Sequence, residues 1–520
     1  MSLGKILWVD DEIDSLQSQK MFLENKGYEV FTLTNGFDAI DFIKENQIDV
    51  LLIDESMPGL TGLETLAKVK EIKQHLPIVL ITKNETENLM NDAIGSQISD
   101  YLIKPVNPNQ VLLSLKKILD NRRLVSEKTT SAYQQQFRNL FISLNSNPDH
   151  QEWMDIYKKL IFWELEMEKT DSPEMTEILK SQKSEANTEF FKFISRNYAS
   201  WVGLKSKDGP VMSHNLLREK VFPNLEKGTP VFFILIDNLR YDQWKIIEPI
   251  FAENFRILEE QSFYSILPTA TQYSRNAIFA GMMPADIEKR YPSQWKNDEE
   301  EGGKNMHEEE FFRDQVKREG RPDLRVSYTK VSYNLAGLEL VNNIHNLLEN
   351  DLNVIVYNFV DMMSHARTEM DILKELASDE MSYRSITASW FEHSPLNQAL
   401  KKIADKKIKV ILASDHGTIR VNSPYKVIGD KQTTSNLRYK HGRNLNYEEK
   451  DVLAFRNPKE VGLPSPAINS SYIFAKEDGF LCYPTNYNHY VNYYRNTFQH
   501  GGVSLEEMII PIIKMESKVN

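Results

Sequence analysis

The sequence predicts an α/β protein in three parts, spanning residues 1–122, 123–205 and 206–520: a parallel sheet with helices, a helical bundle used as a linker, and a larger α/β domain. Three observations carry this expectation. Five short apolar runs ending in polar residues occupy the first section, a stretch without strand signal follows, and beyond about Ser206 apolar strands return, ending in Asp, His or Thr. A chain of 520 residues is also too long for one core.

Composition narrows the class. Hydrophobic residues make up 41% and charged residues 26%, as in ordinary globular proteins. No apolar run approaches the roughly 20 residues of a membrane span. The first residues lack the order of a signal peptide, so a cytoplasmic protein with no membrane partner is expected. A single cysteine, Cys482, excludes an internal disulfide and a thiolate metal cluster. The net charge of -12 argues against a general nucleic-acid coat and leaves room for a basic patch inside one cleft.

In the first section, strands are expected at Lys5–Val9, Tyr28–Leu33, Ile48–Ile53, Pro77–Ile81 and Asp100–Ile103, with amphipathic segments between them. Their carboxyl ends present Asp10, Asp11, Asp54, Thr82 and Lys104, and in such a fold these ends converge on one crevice. Three carboxylates at one rim repel one another unless a divalent cation sits among them, and oxygen ligands suit magnesium. Asp54 is placed to attack a phosphoryl donor, Lys104 to hold the new charge and Thr82 to hydrogen-bond a phosphoryl oxygen. These residues, with Met57-Pro58-Gly59, Tyr101 and Lys104-Pro105, resemble the receiver (CheY-like) domain of two-component response regulators over residues 4–122. The resemblance implies Asp54 as phosphoacceptor, Asp10, Asp11 and Asp54 as magnesium ligands, Thr82, Tyr101 and Lys104 as the switch, and a cis bond at Lys104-Pro105. Lys83 departs from the small residue usual after the threonine, so the lifetime of the phosphorylated state does not carry over.

The middle section carries helical signals. From Asn109 to Leu144 there is no proline or glycine, and Tyr133, Phe137, Leu140, Phe141 and Leu144 recur at helical spacing. Asn147-Pro148-Asp149 breaks this helix, a second carries Trp153, Ile156, Tyr157, Leu160 and Ile161, and a third follows Ser172-Pro173 with Met175, Ile178, Leu179, Phe190 and Phe193. The aromatics are expected to form the bundle core, the alternative being a surface that docks against the first section or a second chain.

In the third section Pro230–Ile236 reads as a strand ending in Asp237-Asn238, and Pro268-Thr269-Ala270-Thr271 runs into a helix closed by Gly281. Thr271 is thus expected near a helix amino terminus, where backbone N–H groups stabilise an anion. Val354–Phe359 reads as a strand, and Asp361 and His365 beyond it lie four apart, on one face of a helical turn. The run Val410 to Gly417 delivers Asp415 and His416 at a strand end, and His500 precedes Gly501-Gly502, which let the backbone bend. Three aspartates, three histidines and a threonine suffice for two adjacent zinc ions. The segment from Asn297 to Glu310, acidic and polar with two glycines, reads as an exposed loop or lid, with disorder as the alternative.

The motif Pro268 to Thr271 resembles the nucleophile segment of the alkaline phosphatase superfamily, in its nucleotide pyrophosphatase and phosphodiesterase branch, and Gly501 to Glu507 is similar to the signature of the PglZ group. The resemblance implies two zinc ions per chain, one on Asp237, Thr271, Asp415 and His416, the other on Asp361, His365 and His500. Thr271 is then the catalytic nucleophile. That branch's phosphoryl-oxygen asparagine has no counterpart three positions after Thr271, where Ser274 stands; Asn238, Arg275 and Asn276 are the candidates, and ester preference stays open.

Together the three parts resemble response regulators linked to type IX secretion. That likeness implies a sensor histidine kinase, a secretion-system or sigma-factor protein partner, a nucleotide or oligonucleotide substrate, and a homodimer formed on phosphorylation. The alternative is a zinc-stabilised signalling scaffold whose output is protein binding.

Overall fold

The computed structural model describes residues 3–73, 76–83, 98–169, 173–203, 209–298, 300–363, 379–430, 433–465, 467 and 469–518, without the side chains of 120–131 and 173. The chain divides into two compact units, Met1–Gln136 with Glu166–Met175, and Phe137–Leu165 with Thr176–Asn520.

The first unit holds five parallel strands, β1 (Lys5–Val9), β2 (Glu29–Leu33), β3 (Val50–Asp54), β4 (Ile78–Thr82) and β5 (Asp100–Ile103), in the order β2-β1-β3-β4-β5. Leu7, Val9, Leu51, Ile53 and Leu80 pack on one side, and Ile6, Trp8, Val50, Leu52 and Val79 on the other. Burial on both faces explains why β1, β3 and β4 read as unbroken apolar runs. Asp54 and Thr82, expected just past their strands, are the last strand residues. Helix α1 covers Gln17–Asn25, α2 Gly36–Glu45 and α3 Gly62–Ile72. Asn35 caps α2 by accepting from the Asp38 N–H, and Thr61 with Glu64 forms a capping box on α3.

Three longer helices follow, α4 (Pro108–Asn145), α5 (His150–Glu168) and α6 (Pro173–Val202). The break after α4 comes where expected: Asn147 adopts φ 52°, and Asp149 Oδ1 accepts from the N–H groups of Gln151 and Glu152 at 2.8 Å. Phe141, expected on the apolar stripe, is 45% exposed.

In the second unit a six-stranded mixed sheet runs β7-β18-β10-β6-β9-β8. These strands are β6 (Val231–Ile236), β7 (Phe255–Tyr264), β8 (Val326–Val331), β9 (Leu352–Tyr357), β10 (Lys409–Ala413) and β18 (Ile509–Ser517). The four from β10 to β8 are parallel, while β18 lies antiparallel to β10 and β7. Helix α7 spans Tyr241–Asn254 and α8 spans Thr271–Ala280, the latter closed by Gly281 at φ 62°. Smaller sheets pair β11 (Ile419–Arg420) with β17 (Phe498–Gln499) and β12 (Ser423–Lys426) with β16 (Gly479–Cys482). The third joins β13 (Tyr439–Arg443), β15 (Ser470–Ala475) and β14 (Val452–Phe455). The expected strand Val354–Phe359 ends two residues earlier, at Tyr357, and residues 359–363 form a helical turn that carries Asp361.

The aromatics of α5 and α6 do more than fill a bundle. Trp153 contacts Phe190 at 5.3 Å, Phe190 stacks on Tyr264 at 6.3 Å, and the Tyr264 hydroxyl donates to the His150 carbonyl at 2.8 Å. They pack on Tyr264 at the end of β7, one of the two edge strands of the large sheet.

Candidate active site

Two strand-end clusters of carboxylate and imidazole groups occur among the described residues, one in each unit, and within each the ligand atoms lie within 4.8 Å of one another. In the first unit Asp10, Asp11 and Asp54 meet at the ends of neighbouring strands β1 and β3. Lys104 Nζ lies 2.8 Å from Asp10 Oδ2 and 2.9 Å from Asp54 Oδ1. The Glu12 N–H donates to Asp10 Oδ1 at 2.9 Å, so the carboxylates are oriented by the protein. Burial raises the Asp54 pKa above the usual carboxylate range, while the Lys104 hydrogen bond pulls it back. Three carboxylates against one ammonium leave an anionic crevice of oxygen donors, which fits a hard divalent cation. Thr82 is buried at the end of β4, Tyr101 is 40% exposed, and the Lys104-Pro105 bond is cis, as expected. Lys83 reaches out instead, 3.7 Å from Glu12 on the surface.

In the second unit the site forms where adjacent parallel strands β10, β6 and β9 end. Asp237 follows β6, Asp415 and His416 follow β10, and Asp361 lies in the turn after β9. Thr271 begins α8, with its Oγ1 3.0 Å from His416 Nε2 and 3.3 Å from Asp237 Oδ1. His416 Nδ1 lies 3.2 Å from the Gly417 carbonyl, which assigns the N–H to that side and turns Nε2 toward Thr271. His500 is set in the same way: Nδ1 lies 3.1 Å from the Thr269 carbonyl and Nε2 3.7 Å from Asp361 Oδ1. The two rings stack at 4.3 Å. His365 lies outside the described residues.

Charge and burial test the fit of a metal here. Asp237, Asp415 and His416 are buried, and no hydrogen-bond partner reaches Asp415 Oδ2. Burial, and then the charge of Asp237, pushes the Asp415 carboxyl well above the usual range. Burial lowers the His416 pKa, which keeps its imidazole neutral and able to ligate. Carboxylates with an unsatisfied oxygen beside a neutral imidazole are the donor set of a divalent transition metal.

The three candidates for the phosphoryl-oxygen contact separate clearly. The Arg275 guanidinium donates to Asp237 Oδ2 at 2.7 Å, to Glu308 Oε1 at 2.5 Å and to Asn358 Oδ1 at 3.1 Å, so it is committed to orienting Asp237. Asn276 donates to the carbonyls of Gln272 and Lys304 at 2.8 and 3.2 Å. Asn238 alone of the three bridges the two halves of the site: its backbone N–H donates to Asp415 Oδ1 at 3.1 Å and its Nδ2 to Asp361 Oδ1 at 3.3 Å. It does so at φ 64°, a left-handed conformation that asparagine tolerates better than most residues.

The segment 297–310 is largely exposed, as expected, but three of its residues turn toward the site. Asp298 accepts from the hydroxyl of Tyr273 at 2.9 Å, Asn305 donates to the Thr271 carbonyl at 3.1 Å, and Glu308 is 1% exposed beneath Arg275. Tyr328 and Lys330 of β8 hold the other Glu308 oxygen at 2.6 and 2.8 Å. Sequence reading missed Glu308 because it opens a run of three glutamates in a polar segment, with no local sign of which one turns inward.

Comparison with known proteins adds the family. Residues 216–515 match the BREX system PglZ alkaline phosphatase-like domain, residues 123–202 the PorX response regulator linker domain, and residues 6–116 the response regulator receiver domain. Among curated relatives, the phosphoglycerate transport system transcriptional regulatory protein PgtA of Salmonella typhimurium is 33% identical over 120 residues, 23% of this chain and 29% of that protein. The transcriptional regulatory protein SrrA of Staphylococcus aureus is 33% identical over 116 residues, 22% of this chain and 48% of that one. The chain therefore spans less than half the length of these relatives. Among solved structures, a CheY-like receiver domain from Methanospirillum hungatei is 29% identical, covering 23% of this chain and 96% of that one, with a TM-score of 0.22. Chemotaxis protein CheY4 of Vibrio cholerae is 30% identical, covering 22% and 98%, also with a TM-score of 0.22.

Proposed function

The chain belongs to the PglZ alkaline phosphatase-like family and carries a response regulator receiver and a PorX-type linker ahead of that domain, and we propose that it is a receiver-controlled, zinc-dependent phosphodiesterase or phosphatase. The observation that carries this reading is the Thr271 hydroxyl, at a helix amino terminus and within hydrogen-bond reach of both His416 and Asp237.

In this reading residues 1–122 are the input, 123–205 the linker and 206–520 the output. The receiver implies a sensor kinase as partner; Asp54 takes the phosphoryl group with magnesium on Asp10, Asp11 and Asp54, and Thr82, Tyr101 and Lys104 relay the change. In the output domain the bond from Thr271 Oγ to phosphorus forms as the ester bond to the leaving oxygen breaks. The hydroxyl proton is lost to solvent, and the leaving oxygen takes one up. Water then cleaves the phosphothreonine. Zinc on Asp237, Thr271, Asp415 and His416, and on Asp361, His365 and His500, would lower the pKa of the hydroxyl and neutralise the phosphoryl oxygens. Asn238 lies where it can donate to one of them, and Arg275 keeps Asp237 in place.

A nucleotide or oligonucleotide is the substrate class we propose, with a homodimer formed on phosphorylation, a cytoplasmic location and a role in type IX secretion through a secretion-system or sigma-factor partner. No helix among the described residues is long and apolar enough to cross a membrane. The test is hydrolysis of a chromogenic phosphodiester by zinc-loaded protein, with and without acetyl phosphate. Activity in wild type that is lost in Thr271→Ala supports the reading. Metal-loaded wild type without activity would leave a scaffold as the better description.

A further inference from the structure

The loop that carries His500 is held by Thr269 at Gly501 and Gly502 and by Arg438 at Glu507, and its far end is fastened also from the linker. Ser504 caps the short helix Leu505–Met508 by accepting from the Glu507 N–H, and Glu507 Oε1 accepts from the Gly502 N–H at 2.9 Å. These bonds tie Gly502, Ser504 and Glu507 into one turn directly behind His500. The same piece abuts the turn after His416: the Gly417 N–H donates to the Glu507 carbonyl at 3.3 Å, and a Cβ at Gly417 would lie 2.1 Å from the Glu506 carbonyl oxygen. Only glycine permits that approach.

Two side chains one helical turn apart on α6 grip this piece. Asn187 Oδ1 accepts from the Leu505 N–H at 2.8 Å, and its Nδ2 donates to Glu506 Oε2 at 3.1 Å. Lys183 Nζ lies 3.1 Å from Glu506 Oε1 and 2.8 Å from Glu164 Oε2 on α5. Glu164 receives Arg384, which also reaches Asp242 on α7, each at 2.8 Å. Asn187 and Glu506 are 5% and 4% exposed, so these bonds face little competition from water.

We propose that Asn187 and Lys183 are positioning residues for the hydrolytic site: through Glu506 they fix the segment that sets His500 and abuts the His416 turn. The linker helix α6 is thereby a working part of the output site. This rests on the phosphodiesterase reading above, because only there does the placement of His500 govern a rate.

The experiment uses the full chain, with Asn187→Ala and Lys183→Arg, and reads kcat and KM on a chromogenic phosphodiester together with amide hydrogen exchange over 499–508. In Asn187→Ala, kcat falls by about 10- to 100-fold with KM near wild type, and exchange over 499–508 rises while that of β1–β5 does not. Lys183→Arg, which keeps the charge, stays nearer wild type. Should Asn187→Ala fail to fold, the isosteric Glu506→Gln takes its place with the same signature and smaller size. Unchanged exchange with kcat within about twofold of wild type overturns the proposal. If wild type shows no hydrolysis, the phosphodiesterase reading fails, and exchange alone decides the anchoring: raised exchange sustains it, unchanged exchange sinks it.

Discussion

Two strand-end sites in one chain solve the same electrostatic problem differently. Both gather carboxylates where parallel strands end, and in both burial raises a key carboxyl, Asp54 in one and Asp415 in the other. At the receiver crevice the compensation is Lys104, touching Asp10 and Asp54 directly and leaving Asp11 exposed. At the output site the compensation is Arg275, which grips Asp237 from behind and is itself held by Glu308. The first arrangement sets two buried carboxylates beside an exposed one, with the ammonium in direct contact with the buried pair. The second holds Asp237, Asp415 and His416 buried, with no cationic side chain among the described residues in contact with Asp415 and one of its oxygens without a hydrogen-bond partner.

The contrast can be broken most severely at the nucleophile. Replacing Thr271 by Ala is expected to lower kcat by about 10³-fold or more in protein whose metal content is matched to wild type by elemental analysis; comparable activity in the variant would separate catalysis from this hydroxyl. Asp54→Asn should abolish phosphoryl incorporation from acetyl phosphate and magnesium, measured by intact mass, while basal hydrolysis persists. Incorporation that survives would place the acceptor elsewhere.

Removing the support behind Asp237 tests these buried ion pairs by stability. Glu308→Ala strips Arg275 of one of two buried carboxylates, at an expected cost of about 3–5 kcal/mol in denaturant unfolding. A loss under about 1 kcal/mol would mean that water reaches the pair.

The raised Asp415 carboxyl gives a pH signature. Its folded pKa stands above its unfolded one, so the metal-free fold binds more protons than the unfolded chain. It should lose stability as pH rises from the usual carboxylate range through the folded value. Zinc should suppress that slope and release protons on binding; a metal-free melting temperature flat over this range would contradict the assignment. At the other extreme, the Lys83–Glu12 pair at 3.7 Å is exposed, and Lys83→Ala should change stability by less than about 1 kcal/mol in the same assay.

How far these sites were legible in the sequence follows the same division. Asp10, Asp54, Asp237, Asp415 and His416 were readable because an apolar run that stops in a polar residue marks a strand end, and parallel strand ends converge. The roles of Arg275 and Asn238 were not readable, since they depend on partners far away in sequence: Glu308 is 33 residues on and Asp415 is 177. Nor was the anchoring of His500 by α6, because the stripe that buries Phe190 looks the same whether it faces another helix or, as here, also Tyr264 of β7.

The most direct test of two separate phosphoryl chemistries is rapid acid quench of the zinc- and magnesium-loaded full chain, exposed in parallel to acetyl phosphate and to a phosphodiester, followed by peptide mapping. The expected result is a hydroxylamine-labile acyl phosphate at Asp54 from the first and a hydroxylamine-stable phosphothreonine at Thr271 from the second. Turnover of the diester with no covalent label at Thr271 under any quench time, in protein that still labels Asp54, would contradict the nucleophile assigned here.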